Sequence, residues 1–412
     1  YWAGDAGKEG QTIEENIRKF GGVREGMKEL RVWIDSQTEE EILRGIREAK
    51  DMSEYDNLAK SGVMRTIEDY AMGINFSRAM SVKYGKLLND AAGTSSYTAI
   101  AVGRVMTCVL GMVVIREREI RNFTETPFYR VVGTFHPEGE EECRITAEWK
   151  AIEGSKYFGT PYLYKENGFK EKKDAEELVG ILSTESPCQA VIEKIERKKE
   201  NKNPPFLFNL AELQNECSRL FKISPDETLK IVQELYEKKL VTYPRTDARV
   251  LSTAVAKEIY KNLRGLQSYT KAGEFATEIL NQGSYKGIAK TRYVNDKQIT
   301  DHYAIVPTGQ GFGAMRSLSP LCMKIYEVIA RRFLSIFYPA AIYQKYALEL
   351  TCGQEHFFTS FRVLTEQGYL KVAEVPKRKK ADDTAASGGQ VADGETDDKD
   401  ESEINKKDME NG

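Results

Sequence analysis

The sequence predicts a multidomain protein that combines an α/β part, two helical parts and a β-rich part. Its 412 residues are 41% hydrophobic, enough for roughly two to four domains. Apolar residues recur at helical spacing within residues 51–123 and 204–337. Residues 124–203 and 338–374 instead alternate between apolar and polar side chains, as strands do. The β-rich stretches therefore lie on both sides of the second helical stretch.

The first 50 residues alternate between helix and strand signals. A glycine-rich turn precedes an expected helix from Glu14 to Phe20, a short strand from Leu30 to Ile34 and a helix from Glu39 to Ala49. In residues 51–123, an apolar stripe includes Ile67, Tyr70 and Ile74. A second stripe, expected to pack inward, consists of Val105, Val109, Met112 and Val113. This region is therefore expected to be helical.

The remaining elements follow from alternation and capping signals. Strands are expected at Phe128–Phe135, Cys143–Lys150, Tyr343–Cys352 and Phe357–Leu364. Asn209 is expected to cap one helix, and the capping box Ser224-Pro225-Asp226-Glu227 starts the next. Two helices followed by a strand-like run give a helix-turn-helix or winged-helix outline. Two ordinary packed helices would explain the apolar stripes equally well.

The strand-like run ends in Tyr243-Pro244-Arg245, which carries the most specific chemistry in the sequence. A tyrosine hydroxyl can attack a phosphodiester and hold the phosphoryl group covalently. A guanidinium two residues later can bind the phosphate oxygens and neutralise their charge. Pro244 stiffens the turn between them. The pattern suits Tyr243 as a nucleophile, but the spacing alone does not favour that role, because almost all of the 21 tyrosines must be core or surface residues.

The segment around this turn resembles the active-site region of type IA DNA topoisomerases. The resemblance covers Phe208-Asn209-Leu210, Leu213-Gln214, Ser224-Pro225, Leu235-Tyr236-Glu237 and Thr242-Tyr243-Pro244-Arg245-Thr246-Asp247. The proline after the tyrosine is closer to the topoisomerase III branch. The resemblance implies that Tyr243 attacks single-stranded DNA and becomes linked to the 5′ phosphate. It also implies that Arg245 contacts the scissile phosphate.

The first residues, Ala3 to Gln11, resemble the acidic motif of the Toprim metal-binding fold. That motif is usually Asp-x-Asp-x-Glu, and Gly7 stands here at the middle acid. The resemblance implies that Asp5 and Glu9 hold Mg²⁺, for which hard carboxylate oxygens are suitable ligands. With Gly7 at the middle position, the motif supplies two carboxylates instead of three.

Two further blocks occur in the family's order. Gly103-Arg104 precedes a helix where the family binds backbone phosphate, so Arg104 is a DNA-binding candidate. Met106 stands where the family usually has Gln, and no role is assigned to it. Arg65 and Arg78 are phosphate-contact candidates on the helical region, with surface decoration as the alternative. The block from Thr300 to Thr308 places His302 where the family has a histidine near the tyrosine and the phosphate.

The resemblance implies the toroid of type IA topoisomerases. Residues 1–50 would form the C-terminal half of a Toprim α/β domain and residues 51–123 a helical DNA-groove domain. Residues 124–203 and 338–374 would form the β-rich arch, or gate. Residues 204–337 would form the helical, winged-helix-like domain that carries the active-site tyrosine.

The C-terminal stretch differs from the rest in composition. Residues 375–412 are expected to be a disordered acidic tail or linker, because they contain almost no large apolar residues. Residues 381–412 hold 11 acidic residues and 3 lysines, whereas the whole chain has a net charge of −3. The preceding residues are therefore net basic, which suits phosphate binding.

Composition also bears on compartment and cofactors. The six cysteines (Cys108, Cys143, Cys188, Cys217, Cys322 and Cys352) form no Cys-x-x-Cys pair, which excludes a zinc ribbon in this span and fits thiols in a reducing cytoplasm. We expect no membrane association, because the chain has neither a signal peptide nor an apolar run of bilayer length. No Walker-type loop for ATP is present. The resemblance implies a cytoplasmic, nucleoid-associated protein of bacterial or mobile-element origin.

The sequence therefore predicts an ATP-independent, topoisomerase III-like isomerase. It would cleave and reseal one strand of DNA to relax negative supercoils or decatenate DNA. Its cofactor would be Mg²⁺, and it would bind single-stranded and negatively supercoiled DNA. It would act as a monomer. A non-catalytic single-strand DNA-binding relative is the main alternative. A tyrosine recombinase is a weaker alternative. In such an enzyme the tyrosine would follow the arginines and the histidine in the sequence, whereas here Arg245 and His302 follow Tyr243.

The chain begins at Tyr1, within what resembles a Toprim strand. The family's first Toprim strand, which supplies a catalytic Glu and a nearby Lys, is expected to precede it. On that basis the 412-residue chain alone is expected to bind single-stranded DNA but not to relax negatively supercoiled plasmid.

Overall fold

The computed structural model describes seven stretches of the chain and divides them into two compact units. The described residues are 1–34, 39–94, 99–139, 144–165, 167–184, 189–299 and 301–373. One unit consists of Tyr1–Thr124 and Phe206–Phe333, and the other of Glu125–Pro205 and the described residues from Leu334 onward. The expected acidic tail, residues 375–412, lies outside the described residues.

The chain opens with small helices and strands: α1 (Lys8–Gly21), β1 (Leu30–Arg31), α2 (Glu39–Arg47) and β2 (Lys50–Asp51). Strands β1 and β2 pair antiparallel. Helix α1 begins six residues before the predicted Glu14. Gly10 permits this early start, because a Cβ there would lie 2.1 Å from the carbonyl oxygen of Asp5.

Two long helices follow, α3 (Asp56–Ala92) and α4 (Arg104–Arg121), which confirms the expected helical region. Helix α3 has 37 residues and is therefore about 55 Å long. The expectation that Val105, Val109, Met112 and Val113 pack inward is wrong, because all four are exposed. Among the described residues of helix α4 none is buried, so its apolar stripe marks one face of the helix without showing what covers that face. No described helix meets the length and apolarity needed to cross a membrane.

The next part of the chain is mainly strands, as predicted. It contains β3 (Val132–Phe135), β4 (Ile145–Lys150), β5 (Leu163–Lys165), β6 (Gly168–Phe169), α5 (Lys172–Leu182) and β7 (Val191–Lys202). Helix α5 was not predicted. Its Ala175 and Leu178 join a buried cluster around Trp149 and Phe169, so its formation depends on tertiary packing as well as local sequence.

The second helical part contains α6 (Leu210–Phe221), α7 (Pro225–Glu237), α8 (Thr253–Leu266), α9 (Gly273–Gln282) and α10 (Pro320–Ser335). Both predicted caps are confirmed. The Asn209 side chain accepts a hydrogen bond from the N–H of Glu212 at 2.9 Å, and the Ser224 hydroxyl accepts one from the N–H of Glu227 at 3.1 Å. These caps fix where the two helices begin.

The described chain ends with β8 (Ala341–Cys352), β9 (Glu355–Glu366) and the short α11 (Leu370–Ala373). Five strands form an antiparallel sheet in the order β3-β4-β9-β8-β7. Buried Glu355 accepts hydrogen bonds from the indole of Trp149 at 2.7 Å and the hydroxyl of Ser155 at 2.8 Å. The sheet therefore encloses a satisfied polar group within its apolar core.

One cysteine departs from the expectation of free thiols. Cys352 is disulfide-bonded, whereas Cys108, Cys217 and Cys322 are free. The prediction was wrong for Cys352 because spacing along the chain does not show which cysteines come together in the fold.

Candidate active site

Two threonines fasten the loop that carries Tyr243. The Thr242 hydroxyl donates to the carbonyl of Ala304 at 3.0 Å, and the Thr246 hydroxyl donates to the carbonyl of His302 at 2.6 Å. Because these bonds lie on either side of Tyr243, the loop is held against the segment that contains His302. The interior position of Thr246, 6% exposed, keeps its bond away from solvent.

The start of helix α6 also holds the same loop. The N–H of Leu210 donates to the carbonyl of Thr246 at 3.1 Å, and the amide of Asn209 donates to the carbonyl of Asp247 at 3.1 Å. The predicted strand before Tyr243 is reduced to one antiparallel bridge, between Val241 and Pro307. Directly after that bridge, the Thr242 hydroxyl donates to the carbonyl of Ala304 and accepts from the N–H of Val306. These side-chain hydrogen bonds stand where a longer strand would have backbone hydrogen bonds.

The ring of Tyr243 lies between two other rings. Its centroid is 5.4 Å from that of Tyr236, in an edge-to-face arrangement, and 4.4 Å from that of His302. Tyr243 is half-buried, whereas Arg245 is exposed. The structure thus brings the predicted nucleophile and the predicted histidine together, and it leaves Arg245, two residues further along the chain, exposed.

The backbone that carries Asp5 is fixed by a buried arginine. Arg31 donates to the carbonyls of Asp5 at 2.7 Å and Gly4 at 2.9 Å. Its guanidinium also forms an ion pair with Glu14 at 2.9 Å, and Glu14 accepts a hydrogen bond from the N–H of Gly4. Because its backbone is held in this way, Asp5 is placed at the start of α1 with its side chain exposed.

Gly7 allows a side chain from a distant segment to approach this motif. A Cβ at position 7 would lie 2.6 Å from Oδ1 of Asp301 and 3.0 Å from its Cγ. The Asp301 carboxylate therefore occupies the space that a side chain at position 7 would need. Sequence reasoning assigned no role to Asp301, and the missing middle acid at Gly7 was the signal that could have led to it.

Several acidic groups surround Asp301. Burial raises the pKa of Asp301, and the negative charges of Glu9, Asp5 and Asp247 raise it further, while His302 opposes them. The two predicted metal ligands and the predicted histidine are thus close enough to Asp301 to affect its ionisation. The structure places them in one neighbourhood within the first unit.

Two of the three predicted DNA-binding arginines belong to one ion-pair network. Arg104 contacts Asp69 at 3.0 Å, and Arg65 lies 3.8 Å from Asp69 and 2.5 Å from Glu9. The hydrogen bond from Arg104 lowers the pKa of Asp69. Arg78 is exposed and lies about 20 Å further along α3 than Arg65, judging from the helical rise.

Asp5 and Glu9 offer carboxylate oxygens, which are the type of ligand that a hard cation prefers. Glu9 must turn away from Arg65 before it can join Asp5. Within the described parts of the chain, three ligand atoms come within 4.8 Å of one another only at Glu193, Glu349 and His356, in the second unit. There the imidazole Nδ1 of His356 lies 2.9 Å from Glu349.

Comparison with known proteins identifies relatives of this chain. The sequence model of the DNA topoisomerase family matches residues 53–411. DNA topoisomerase 3 of Bacillus subtilis (strain 168) is 31% identical over 376 residues, which are 90% of this chain and 46% of the relative. DNA topoisomerase 3 of Bacillus licheniformis is 31% identical over 371 residues, with the same coverage. The chain thus spans about half the length of these curated relatives.

A solved structure agrees at the level of the fold. Full-length topoisomerase I from Thermotoga maritima matches with a TM-score of 0.59 and 22% identity, over 94% of this chain and 57% of that protein. This similarity supports a multidomain fold of the same type. With the family match over most of the sequence, it places the chain among the type IA DNA topoisomerases.

Proposed function

We propose that the protein is a topoisomerase III-like enzyme that cleaves one DNA strand through a 5′-phosphotyrosine on Tyr243 and reseals it after strand passage. The observation that carries the proposal is the seating of Tyr243 against His302 by the hydroxyls of Thr242 and Thr246. Relaxation of negative supercoils and decatenation are its proposed outcomes, with single-stranded and negatively supercoiled DNA as substrates. We propose that it acts as a monomer.

The cleavage step exchanges one phosphoester for another. The bond from the Tyr243 oxygen to phosphorus forms as the bond from phosphorus to the 3′ oxygen breaks. The phenol loses its proton, and the departing oxygen gains one and becomes a 3′ hydroxyl. Resealing reverses these changes, so the energy of the phosphodiester is conserved and no nucleotide cofactor is consumed.

The side chains around Tyr243 have separate proposed tasks. Arg245 binds the scissile phosphate and offsets the charge that develops on it. His302, in ring contact with Tyr243, orients the phenol and the phosphate. Asp5 and Glu9 hold Mg²⁺, which when bound supplies a hard positive charge for positioning the DNA phosphate.

The regions of the chain receive corresponding roles in this proposal. Residues 1–50 serve as part of a Toprim domain, and residues 51–123 line a groove for a single strand. Arg65, Arg78 and Arg104 contact the DNA backbone there. These three arginines are exposed, and their positive charges neutralise those of the phosphates. The β-rich residues serve as the arch that opens, and residues 204–337 carry the nucleophile.

The polarity of the covalent adduct tests this function. When the gene product that contains this chain is incubated with Mg²⁺ and a single-stranded oligonucleotide and then denatured, a label at the 3′ end should remain on the protein. A label at the 5′ end should leave with the fragment that has a free 3′ hydroxyl. Retention of the 5′-end label would indicate the opposite linkage, and DNA binding without any adduct would favour a non-catalytic binding protein.

Asp69 is expected to restrain the proposed DNA-binding arginines. Asp69→Asn removes the partner of Arg104 and Arg65, so single-strand affinity should rise about two- to fivefold. Arg104→Ala should weaken binding to single-stranded DNA. The slope of the logarithm of the binding constant against the logarithm of the salt concentration should become shallower by about 0.7 for each lost phosphate contact. Fluorescence anisotropy across a salt series measures both effects.

Asp90→Asn provides the matched control, because Asp90 is an exposed acid near the other end of the same helix. It changes the net charge equally without releasing Arg104. An equal gain in affinity from both variants would mean that net charge, and not release of the arginines, is responsible.

A further inference from the structure

Three basic residues lie directly opposite one another on the five-stranded sheet of the second unit. Lys198 on β7 pairs with Lys345 on β8, and Lys345 pairs with Arg362 on β9. Directly paired residues point to the same face of a sheet, so the three side chains share one face, on backbones that span about 10 Å across the strands. Lys198, Lys345 and Arg362 are called the basic row below.

The basic row is electrostatically unfavourable within the protein itself. Like charges that lie directly opposite each other destabilise a sheet. In the described part of the chain, neither Lys198 nor Lys345 forms an ion pair. Two acids flank Lys198 on the same face of β7, and one of them, Glu196, is already paired with Lys194 at 2.6 Å. An anion that binds at this face would therefore relieve a repulsion that the fold leaves in place.

The guanidinium of Arg362 is held in a defined place. Its central carbon lies 5.4 Å from the ring centroid of Tyr343, and an aromatic ring attracts a cation at this distance. Tyr343 is only 6% exposed and packs with Ala341 and Tyr369 in a buried cluster. Because the ring is fixed by this packing, it orients the guanidinium, whose planar set of donors suits phosphate oxygens.

An open groove of about 690 Å³ begins beside the basic row on the same face of the sheet. Its lining includes Ala347 and Ser360, which pair with each other two residues along the strands from Lys345 and Arg362. Their side chains are small, so a polymer backbone can approach the sheet closely next to the basic row.

The groove also contains Lys150, which lies toward its far end. Lys150 pairs with His356 on β9, six residues before Arg362, and therefore lies about 20 Å from the basic row along the strands. Its ammonium group is 5.6 Å from the ring centroid of Phe358. The groove thus has positive charge at both of its ends.

The acidic residues that line the groove each have a partner, so their negative charges are at least partly offset. The pairs are Arg130–Glu148 at 2.9 Å, Lys194–Glu196 at 2.6 Å and His356–Glu349 at 2.9 Å.

We propose that the basic row and the groove beside it bind the phosphate backbone of a DNA segment. The identity of this polyanion rests on the proposed function, whereas the face belongs to the second unit and Tyr243 to the first. A length of about 20 Å accommodates about six phosphates of one strand at 3.4 Å per nucleotide. The contacts are to phosphates, so they position DNA without selecting its base sequence.

Lys345→Glu tests the inference, because it should change stability and binding in opposite directions. The charges of the row would then alternate, so the midpoint temperature of thermal unfolding should rise by about 1–3 °C. The affinity for DNA should fall by about five- to tenfold. For single strands, the slope of the logarithm of the binding constant against the logarithm of the salt concentration should become shallower by about 0.7 for each lost contact. Fluorescence anisotropy measures binding of the variant and the parent chain to single-stranded and duplex DNA.

Lys172→Glu in α5 is the matched control, since it changes the net charge of the same unit equally. Lys172 is exposed and pairs with Glu176 at 2.7 Å, away from the basic row. This variant should leave the affinity for DNA within about twofold of the parent. An equal loss of affinity in both variants would assign the effect to net charge and overturn the proposed site.

The other outcomes separate this inference from the proposed function. Unchanged DNA affinity in Lys345→Glu, or a lower unfolding midpoint together with weaker binding, would overturn the DNA-binding face even if the protein forms the Tyr243 adduct. A loss of affinity specific to Lys345→Glu, with a raised midpoint, in a protein that never forms an adduct would support the face and leave the proposed cleavage without support.

Discussion

Tyr243→Phe is expected to abolish the covalent protein–DNA adduct. The substitution removes the only oxygen proposed to attack phosphorus, and phenylalanine offers no replacement nucleophile. The ring itself remains, so its contacts with Tyr236 and His302 should persist. Single-strand affinity should therefore change by less than about threefold, because binding depends mainly on phosphate charge. Denaturing gels measure the adduct, and anisotropy measures binding.

Tyr236→Phe is the control for this experiment. It removes a hydroxyl from the neighbouring ring, 5.4 Å away between centroids, and should leave adduct formation intact. An adduct that persists in Tyr243→Phe would show that another residue is the nucleophile.

Thr246→Val is expected to lower both the stability of the protein and the rate of DNA cleavage. Valine has nearly the same shape but leaves the carbonyl of His302 and the N–H of Ala248 without the hydroxyl that now satisfies both. Leaving such interior groups unpaired costs about 1–3 kcal/mol of folding free energy. The loop should also shift relative to His302, and loss of alignment should slow cleavage by about 10- to 100-fold. Denaturant unfolding and adduct-formation rates measure the two effects.

Thr277→Val in α9 is the matched comparison. The Thr277 hydroxyl also donates to a backbone carbonyl, that of Gly273, but within its own helix. This variant should leave the cleavage rate unchanged. If Thr246→Val destabilises the protein and cleavage proceeds at the parental rate, the threonine does not position the nucleophile.

Local signals in the sequence were sufficient for much of the secondary structure. The caps at Asn209 and Ser224 were predictable because an N-cap is a contact between neighbours in the chain. The strands at Ile145–Lys150, Ala341–Cys352 and Glu355–Glu366 were predictable from alternation. In each case the deciding interaction lies within a few residues or on one face of the element.

Burial was harder to predict than periodicity. The spacing of Val105, Val109 and Met112 correctly indicates a helix, but these side chains are exposed. A periodic pattern shows that one face is apolar and does not show what covers it. Helix α5 was missed for the related reason that its burial depends on Trp149 and Phe169, which belong to other elements.

The resemblance predicted one contact of the candidate site and missed the others. Tyr243 and His302 were proposed as neighbours from the family's motifs, and their rings are in contact. The threonine bonds that seat the tyrosine, and the approach of Asp301 to Gly7, join residues far apart in the chain. No local pattern encodes such contacts, although a glycine in place of an expected acid was a usable signal.

Identification of the DNA-linked residue would show directly whether Tyr243 is the nucleophile. The trapped adduct can be digested with nuclease and protease, and the peptide that retains a nucleotide can be sequenced by mass spectrometry. We predict a nucleotide joined through its 5′ phosphate to Tyr243. A nucleotide on any other residue, or a 3′-phosphate linkage, would exclude the proposed cleavage by Tyr243.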